Sequence, residues 1–222
     1  ARVSGPTPDE VRARLGPRLM APDAAFNAPG FKFGIGAEER FLSVAEHGAA
    51  FRPAAVLVAL ITHEDEITVL LTERNADLPD HGGQISFPGG RVEDGDGGAV
   101  DTALREAEEE VGLGADGLCV LGALEPLGTI SNYRVTPIVA LAPPFESVPQ
   151  AAEVANVFEI PLSFILDPAN HRFMERGRDG RSRATYAIPY GEWFIFGFTA
   201  RILIKLALLW RGEDVPAPPS RP

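Results

Sequence analysis

Residues 89–113 read Gly-Gly-Arg-Val-Glu-Asp-Gly-Asp-Gly-Gly-Ala-Val-Asp-Thr-Ala-Leu-Arg-Glu-Ala-Glu-Glu-Glu-Val-Gly-Leu, from Gly89 to Leu113. A glycine pair behind Pro88 leads through an acidic, glycine-rich loop into a segment with helical periodicity, about Ala99 to Val111. Ala99, Ala103, Leu104, Ala107 and Val111 fall on one side of that helix, and the small alanines suit close packing on a sheet. Gly112 stands where a helix is expected to end. On another side Glu106, Glu109 and Glu110 share one turn, because their spacing puts them on one face. Three carboxylates so close repel one another, so a cation is expected among them. An all-oxygen set of that density suits a hard divalent ion, Mg2+ or Mn2+, rather than zinc.

Around this helix the chain alternates apolar runs with turns. Ala54 to Ile61 and Ile67 to Thr72 read as strands joined by the polar turn His63 to Glu66, and Gln84 to Phe87 as a third. Leu118 to Leu124 and Val135 to Leu141 are further strands, with Cys119 expected in the interior of the first. Val154 to Phe158 is expected as a short helix, and Phe164 to Leu166, His171 to Glu175 and Ala184 to Ile188 as strands, with 176–183 a hairpin loop. Phe198, Ile202, Leu206 and Leu209 recur at helical spacing and predict a packed C-terminal helix. The pattern is α+β, a mixed sheet between helices. The expected organisation is an N-terminal packing segment, 1–50, which opens with a helix capped by Thr7. A single domain over 51–212 and a proline-rich tail over 213–222 follow.

The central stretch resembles the Nudix signature, G-x5-E-x7-R-E-U-x-E-E-x-G-U, where U is aliphatic. Arg105, Glu106, Ala107, Glu109, Glu110, Gly112 and Leu113 match its second half in register. In the first half, counted from Gly90, Asp96 takes the glutamate slot and the gap to Arg105 is one residue longer. Those two departures resemble the branch that hydrolyses coenzyme A. A second element agrees with that branch. Leu70-Leu71-Thr72-Glu73-Arg74, Gly83 and Phe87-Pro88-Gly89-Gly90 are similar to L-L-T-x-R-[SA]-x3-R-x3-G-x3-F-P-G-G, with Asn75 for the small residue and Pro79 for the second arginine. Glu153-Val154 before Phe158, Pro161 and Leu162, and Val135-Thr136-Pro137 after the Ser131-Asn132-Tyr133 loop, also resemble segments of the branch.

The resemblance implies an α/β/α sandwich and hydrolysis of a diphosphate by metal-activated water. The implied ligands are Glu106, Glu109 and Glu110, with the Gly90 backbone. Arg105 is expected to orient these carboxylates, and Glu153 to be the acid brought from outside the signature to metal or water. Arg74, Gly89, Gly90, Ser131 and Asn132 are the expected substrate contacts. Coenzyme A or acyl-CoA is the favoured substrate. ADP-ribose, dinucleotides or nucleoside triphosphates, and a non-catalytic nucleotide-binding module, are the alternatives.

Composition narrows the partners. A formal net charge of −11 opposes nucleic acid as a partner, so an anionic substrate must be reached through metal and a few arginines. The most apolar stretch, Phe194 to Trp210, carries Arg201 and Lys205 and is too short to span a membrane comfortably. Cys119, the sole cysteine, leaves no internal disulfide framework. Residues 1–30 lack the apolar run of a secretory signal. A cytoplasmic protein is expected, with a homodimer among the assemblies left open.

Overall fold

Two parallel strands, flanked by apolar side chains on both faces, set the architecture. The computed structural model describes residues 5–33, 40–78, 82–178 and 181–213. The helices are α1 (Pro8–Leu15), α2 (Pro22–Phe26), α3 (Val44–His47), α4 (Ala99–Val111), α5 (Leu162–Leu166) and α6 (Gly197–Arg211). The strands are β1 (Gly30–Phe33), β2 (Arg40–Ser43), β3 (Arg52–Thr62), β4 (Ile67–Arg74), β5 (Ile85–Ser86), β6 (Gly89–Arg91) and β7 (Cys119–Ala123). They continue as β8 (Leu127–Gly128), β9 (Tyr133–Ala142), β10 (Val154–Pro161), β11 (Arg172–Arg178), β12 (Arg181–Tyr190) and β13 (Trp193–Phe196).

The main sheet has the order β10-β4-β3-β9-β8-β1-β2, and β11-β12-β13 form a second, smaller sheet. β3 and β9 pair in parallel along their length, from Arg52 with Tyr133 to Ile61 with Ala142. Being covered on both faces, such a pair reads as an unbroken apolar run. Alternate residues nevertheless serve different cores. Ala55, Leu57, Ala59 and Ile61 of β3, with Ile138, Ala140 and Ala142 of β9, pack on Ala99, Ala103, Ala107 and Val111 of α4. Val58, Leu60, Val139 and Leu141 face Val11 and Leu15 of α1, Leu162 and Ile165 of α5, and Leu203 and Leu206 of α6. The result is the expected mixed sheet sandwiched between helices. Facing alanines let α4 lie close to the sheet, which brings its carboxylates to the strand backbone.

One edge of β3 is shared. Leu60 to Thr62 pair with β4, whereas Ala54 to Val56 pair with β6. This division presents the Gly89-Gly90 backbone to α4. The first fifty residues are built into this fold. Val11 and Leu15 are fully buried, and β1 joins the main sheet through β8. Thr7 caps α1 in a capping box with Glu10.

Several local expectations are corrected. Val154 to Phe158 is not a helix but the start of β10, because it finds an antiparallel partner along the whole of β4. Tertiary pairing outweighs local propensity there. Phe164 to Leu166 is not a strand but part of α5. Pro161 is the last residue of the β10 ladder, and burial of Leu162 and Ile165 at i, i+3 spacing suits a helical turn. The hairpin strands β11 and β12 extend to Arg178 and from Arg181, into the span expected as loop. Cys119 is exposed rather than interior, since it opens β7, which among the described residues has β9 as its one strand partner. Pro79, which takes the second arginine's place in the motif, lies outside the described residues. No helix among the described residues is long and apolar enough to cross a membrane.

Candidate active site

The site is assembled where α4 meets β6. Gly112, at φ 76°, terminates α4: its N–H bonds the Glu108 carbonyl at 3.0 Å, and the Leu113 N–H bonds the Ala107 carbonyl at 3.1 Å. The next open carbonyls, of Glu110 and Val111, accept N–H groups from Gln150 and Val148, both at 2.9 Å. That contact satisfies helix-end acceptors and anchors the loop that carries Glu153. From the other side, Asn75 at the end of β4 donates its backbone N–H to the Glu153 carbonyl at 2.8 Å and its side-chain amide to the Ala151 carbonyl at 3.0 Å. Glu153 is thereby held between α4 and β4, and its charge acts on both Glu106 and Glu110.

Both glycines of β6 are closely approached, Gly89 by backbone and Gly90 by the Glu106 carboxylate. A Cβ on Gly90 would stand 2.2 Å from Glu106 Oε1, and one on Gly89 would stand 2.4 Å from the Ala55 carbonyl oxygen. The Gly89 N–H donates to Glu110 Oε2 at 3.3 Å. Glu110 is only 5% exposed, and burial, reinforced by the Glu106 charge, pushes its carboxyl up to about 8 despite the Gly89 N–H and the Arg74 charge. Burial raises Glu106 as well, against the pull of Arg105. Arg74 brings a guanidinium whose Nε–H is buried without a hydrogen-bond partner. A buried unpaired donor is costly unless something occupies it.

Arg105 is the organiser. It grips Asp96 with two bonds, Nε to Oδ1 at 3.1 Å and Nη2 to Oδ2 at 3.0 Å, and also donates to the Arg91 carbonyl at 3.0 Å. Its Nη1 donates to Glu106 at 3.0 Å and Glu109 at 3.2 Å. The bonds from Arg105 hold the Asp96 carboxyl well below the usual carboxylate range. Asp96 also accepts from Thr102 Oγ1 and the Glu93 N–H, each at 2.9 Å. The acid in the altered signature slot is therefore the anchor of the arginine. Glu109, with its side chain 57% exposed, is turned towards Arg105, and among the described residues no three His, Cys, Asp or Glu side chains stand grouped as a metal cage.

Ser131 and Asn132 are not bonded to this cluster. Ser131 Oγ meets Thr129 Oγ1 at 3.1 Å; Asn132, at φ 61°, closes the turn before β9, its N–H on the Thr129 carbonyl at 3.1 Å. The Asn132 carbonyl accepts the Arg52 N–H at 2.9 Å. Sequence reasoning gave no site role to Asp96, Asn75, Arg52 or Arg91. Asp96 and Asn75 were visible as departures from their motifs; Arg52 and Arg91 carry no local signal.

The NUDIX domain family model matches residues 51–159. A protein of Photorhabdus laumondii described as "Uncharacterized Nudix hydrolase NudL" is 43% identical over 157 residues, 70% of this chain and 83% of the relative. The chain belongs to the Nudix hydrolase family. The NudL protein of Yersinia pestis strain Pestoides F is 44% identical over 162 residues, which cover 72% of this Nudix hydrolase and 80% of the relative. Among solved structures, the NUDIX domain of Shewanella oneidensis NrtR complexed with ADP ribose has a TM-score of 0.46 and 19% identity, covering 75% of this chain and 97% of that one. Family membership makes the protein a hydrolase, and the glutamate-bearing helix over the glycine pair is the family signature in three dimensions.

Proposed function

We propose that this Nudix hydrolase cleaves the internal diphosphate of coenzyme A or acyl-CoA, releasing 4′-phosphopantetheine (or its acyl form) and adenosine 3′,5′-bisphosphate. The observation that carries the reading is the meeting, around Gly89-Gly90, of the signature glutamates with Arg74. That arginine belongs to the element that resembles the coenzyme A branch, its charge acts on Glu110, and its buried Nε–H lacks a partner among the described residues.

The residues present fit Mg2+ or Mn2+. All donors are oxygens, two desolvated carboxylates repel each other, and Gly90 leaves the space beside Glu106 that a Cβ would fill. Glu106 and Glu110 would hold the ion, joined by the Gly90 backbone and by Glu109 once it leaves Arg105. A bound divalent ion supplies charge neutralisation of the diphosphate and a more acidic water.

The chain does the rest. Arg74 binds a phosphate oxygen of the diphosphate through its unsatisfied donor. Arg105, fixed by Asp96, keeps Glu106 in place. Glu153 accepts the proton of the attacking water as its oxygen bonds to one phosphorus. The bridging P–O bond breaks, and two phosphate monoesters leave. A cytoplasmic setting, where coenzyme A is met, completes the proposal.

The test is hydrolysis of coenzyme A, ADP-ribose and NADH with Mg2+ or Mn2+, with products identified by mass. Release of adenosine 3′,5′-bisphosphate with poor turnover of the other two supports the assignment. Preference for ADP-ribose or NADH would overturn the substrate and leave the diphosphate chemistry standing.

A further inference from the structure

Beyond the glutamates, a cleft of about 500 Å3 is lined by Arg52, Pro53, Arg91, Val92, Glu93 and Asp94. Strand register explains how the two arginines meet. Arg52 pairs with Tyr133 across β3 and β9, and Ala54 pairs with Arg91 across β3 and β6. Arg52 and Ala54 are two apart, so Arg52, Arg91 and Tyr133 share one face of the sheet. Gly90, one residue before Arg91, faces Glu106 on the opposite side. Among the described residues no strand but β3 pairs with β6, and its other edge meets side chains instead, the Gly89 N–H on Glu110 and the Arg91 carbonyl on Arg105. A ligand held at the glutamates therefore reaches the arginines by crossing the β6 edge.

The electrostatics are unusual for so acidic a chain. Among the described residues neither guanidinium has a carboxylate partner within ion-pair distance, although Glu93 and Asp94 line the same cleft. Arg52 lies over the Tyr133 ring, 4.4 Å from its centroid, a contact that restrains the guanidinium without using up its N–H donors. A fixed, unpaired guanidinium beside a second one suits the bidentate capture of a phosphate.

We propose that Arg52 and Arg91 form a second anion subsite, which binds a phosphate monoester that the substrate carries outside its scissile diphosphate. The subsite supplies cationic recognition that Pro79, in place of an arginine, cannot. The Glu93 and Asp94 carboxylates on the same cleft offer acceptors for neighbouring hydroxyls and exclude a second anion from their side. This inference rests on the diphosphate-hydrolase reading and narrows it to substrates with an additional phosphate.

Calorimetric binding of adenosine 3′,5′-bisphosphate and AMP to the protein and to Arg52→Gln and Arg91→Gln tests it. The unmodified protein should bind the bisphosphate at least about tenfold more tightly than AMP, the worth of one charge-assisted contact. Each variant should lose most of that preference and keep its affinity for AMP, with Arg52→Lys intermediate because it keeps charge and loses the fork. Both arginines are exposed, so the variants should keep the unmodified protein's thermal midpoint. Equal affinity for the two ligands in the unmodified protein would overturn the subsite. So would a preference that survives both substitutions, or an equal loss for both ligands. Turnover of coenzyme A decides the parent reading, and the bisphosphate preference decides this one.

Discussion

Replacing Glu110 by Gln should make the metal-free protein more stable at alkaline pH while abolishing turnover. The Glu110 carboxyl ordinarily titrates near 4.5 and here is raised to about 8, chiefly by burial. A group that holds its proton more tightly in the folded state gives stability that is fully present below pH 4.5. That stability is lost as pH rises through 8. At about 1.4 kcal/mol per pH unit, the displacement sets a ceiling of about 5 kcal/mol for the cost of ionising Glu110 in the fold. Relaxation and water entry reduce such costs, so the expected gain of Glu110→Gln at pH 9 is about 2 kcal/mol or more. Glutamine keeps an oxygen for the Gly89 N–H, so the isostere removes the charge and little else. Urea unfolding in chelator at pH 5, 7 and 9 measures the effect. The two proteins should be nearly alike at pH 5 and diverge as pH rises. A divalent ion should then restore the parent and leave the variant unmoved. A variant that is less stable at pH 9, or a difference that does not vary with pH, would refute the account of Glu110 as a carboxylate held at a folding cost for function.

Other substitutions separate positioning from binding. Asp96→Asn weakens a bidentate grip on Arg105 and should cost about 2 kcal/mol by urea unfolding at neutral pH. Because the Asp96 carboxyl titrates below its ordinary range, the parent's advantage should fade as pH drops below about 4. Gly90→Ala forces the Glu106 carboxylate away from a Cβ at 2.2 Å, so activity should fall by about a hundredfold or more with the fold retained by circular dichroism. Asn75→Ala removes the amide bond to the Ala151 carbonyl and loosens the loop carrying Glu153. We expect kcat to fall about tenfold with KM little changed, and Asn75→Asp, which cannot donate that bond, not to rescue it.

Why some of this was legible and some was not follows from where the information lies. The α4 helix, its alanine face and its Gly112 stop were readable because helical period and glycine conformation are local properties. The spacing of Glu106, Glu109 and Glu110 within one turn was readable for the same reason, but the turning of Glu109 to Arg105 was not. β10 was misread because its conformation is fixed by β4, some eighty residues away, and nothing in Val154 to Phe158 announces that partner. Ser131 and Asn132 were placed by resemblance, and their visible bonds are those of a turn rather than of the glutamate cluster.

Asp96 shows the limit most clearly. In sequence it stands in the slot of the signature's first glutamate; in space it grips Arg105 with both oxygens, and Arg105 in turn holds Glu106 and Glu109. The extra residue between Asp96 and Arg105 thus accompanies an anchor, and spacing alone cannot tell an anchor from a ligand. Asn75 makes the same point. It departs from the small residue of the related motif, yet the departure supplies the amide that ties down the Glu153 loop. Substitutions within a motif are best read by the bonds they create: here Asp96 fixes the arginine that holds Glu106, and Asn75 ties down the loop that carries Glu153.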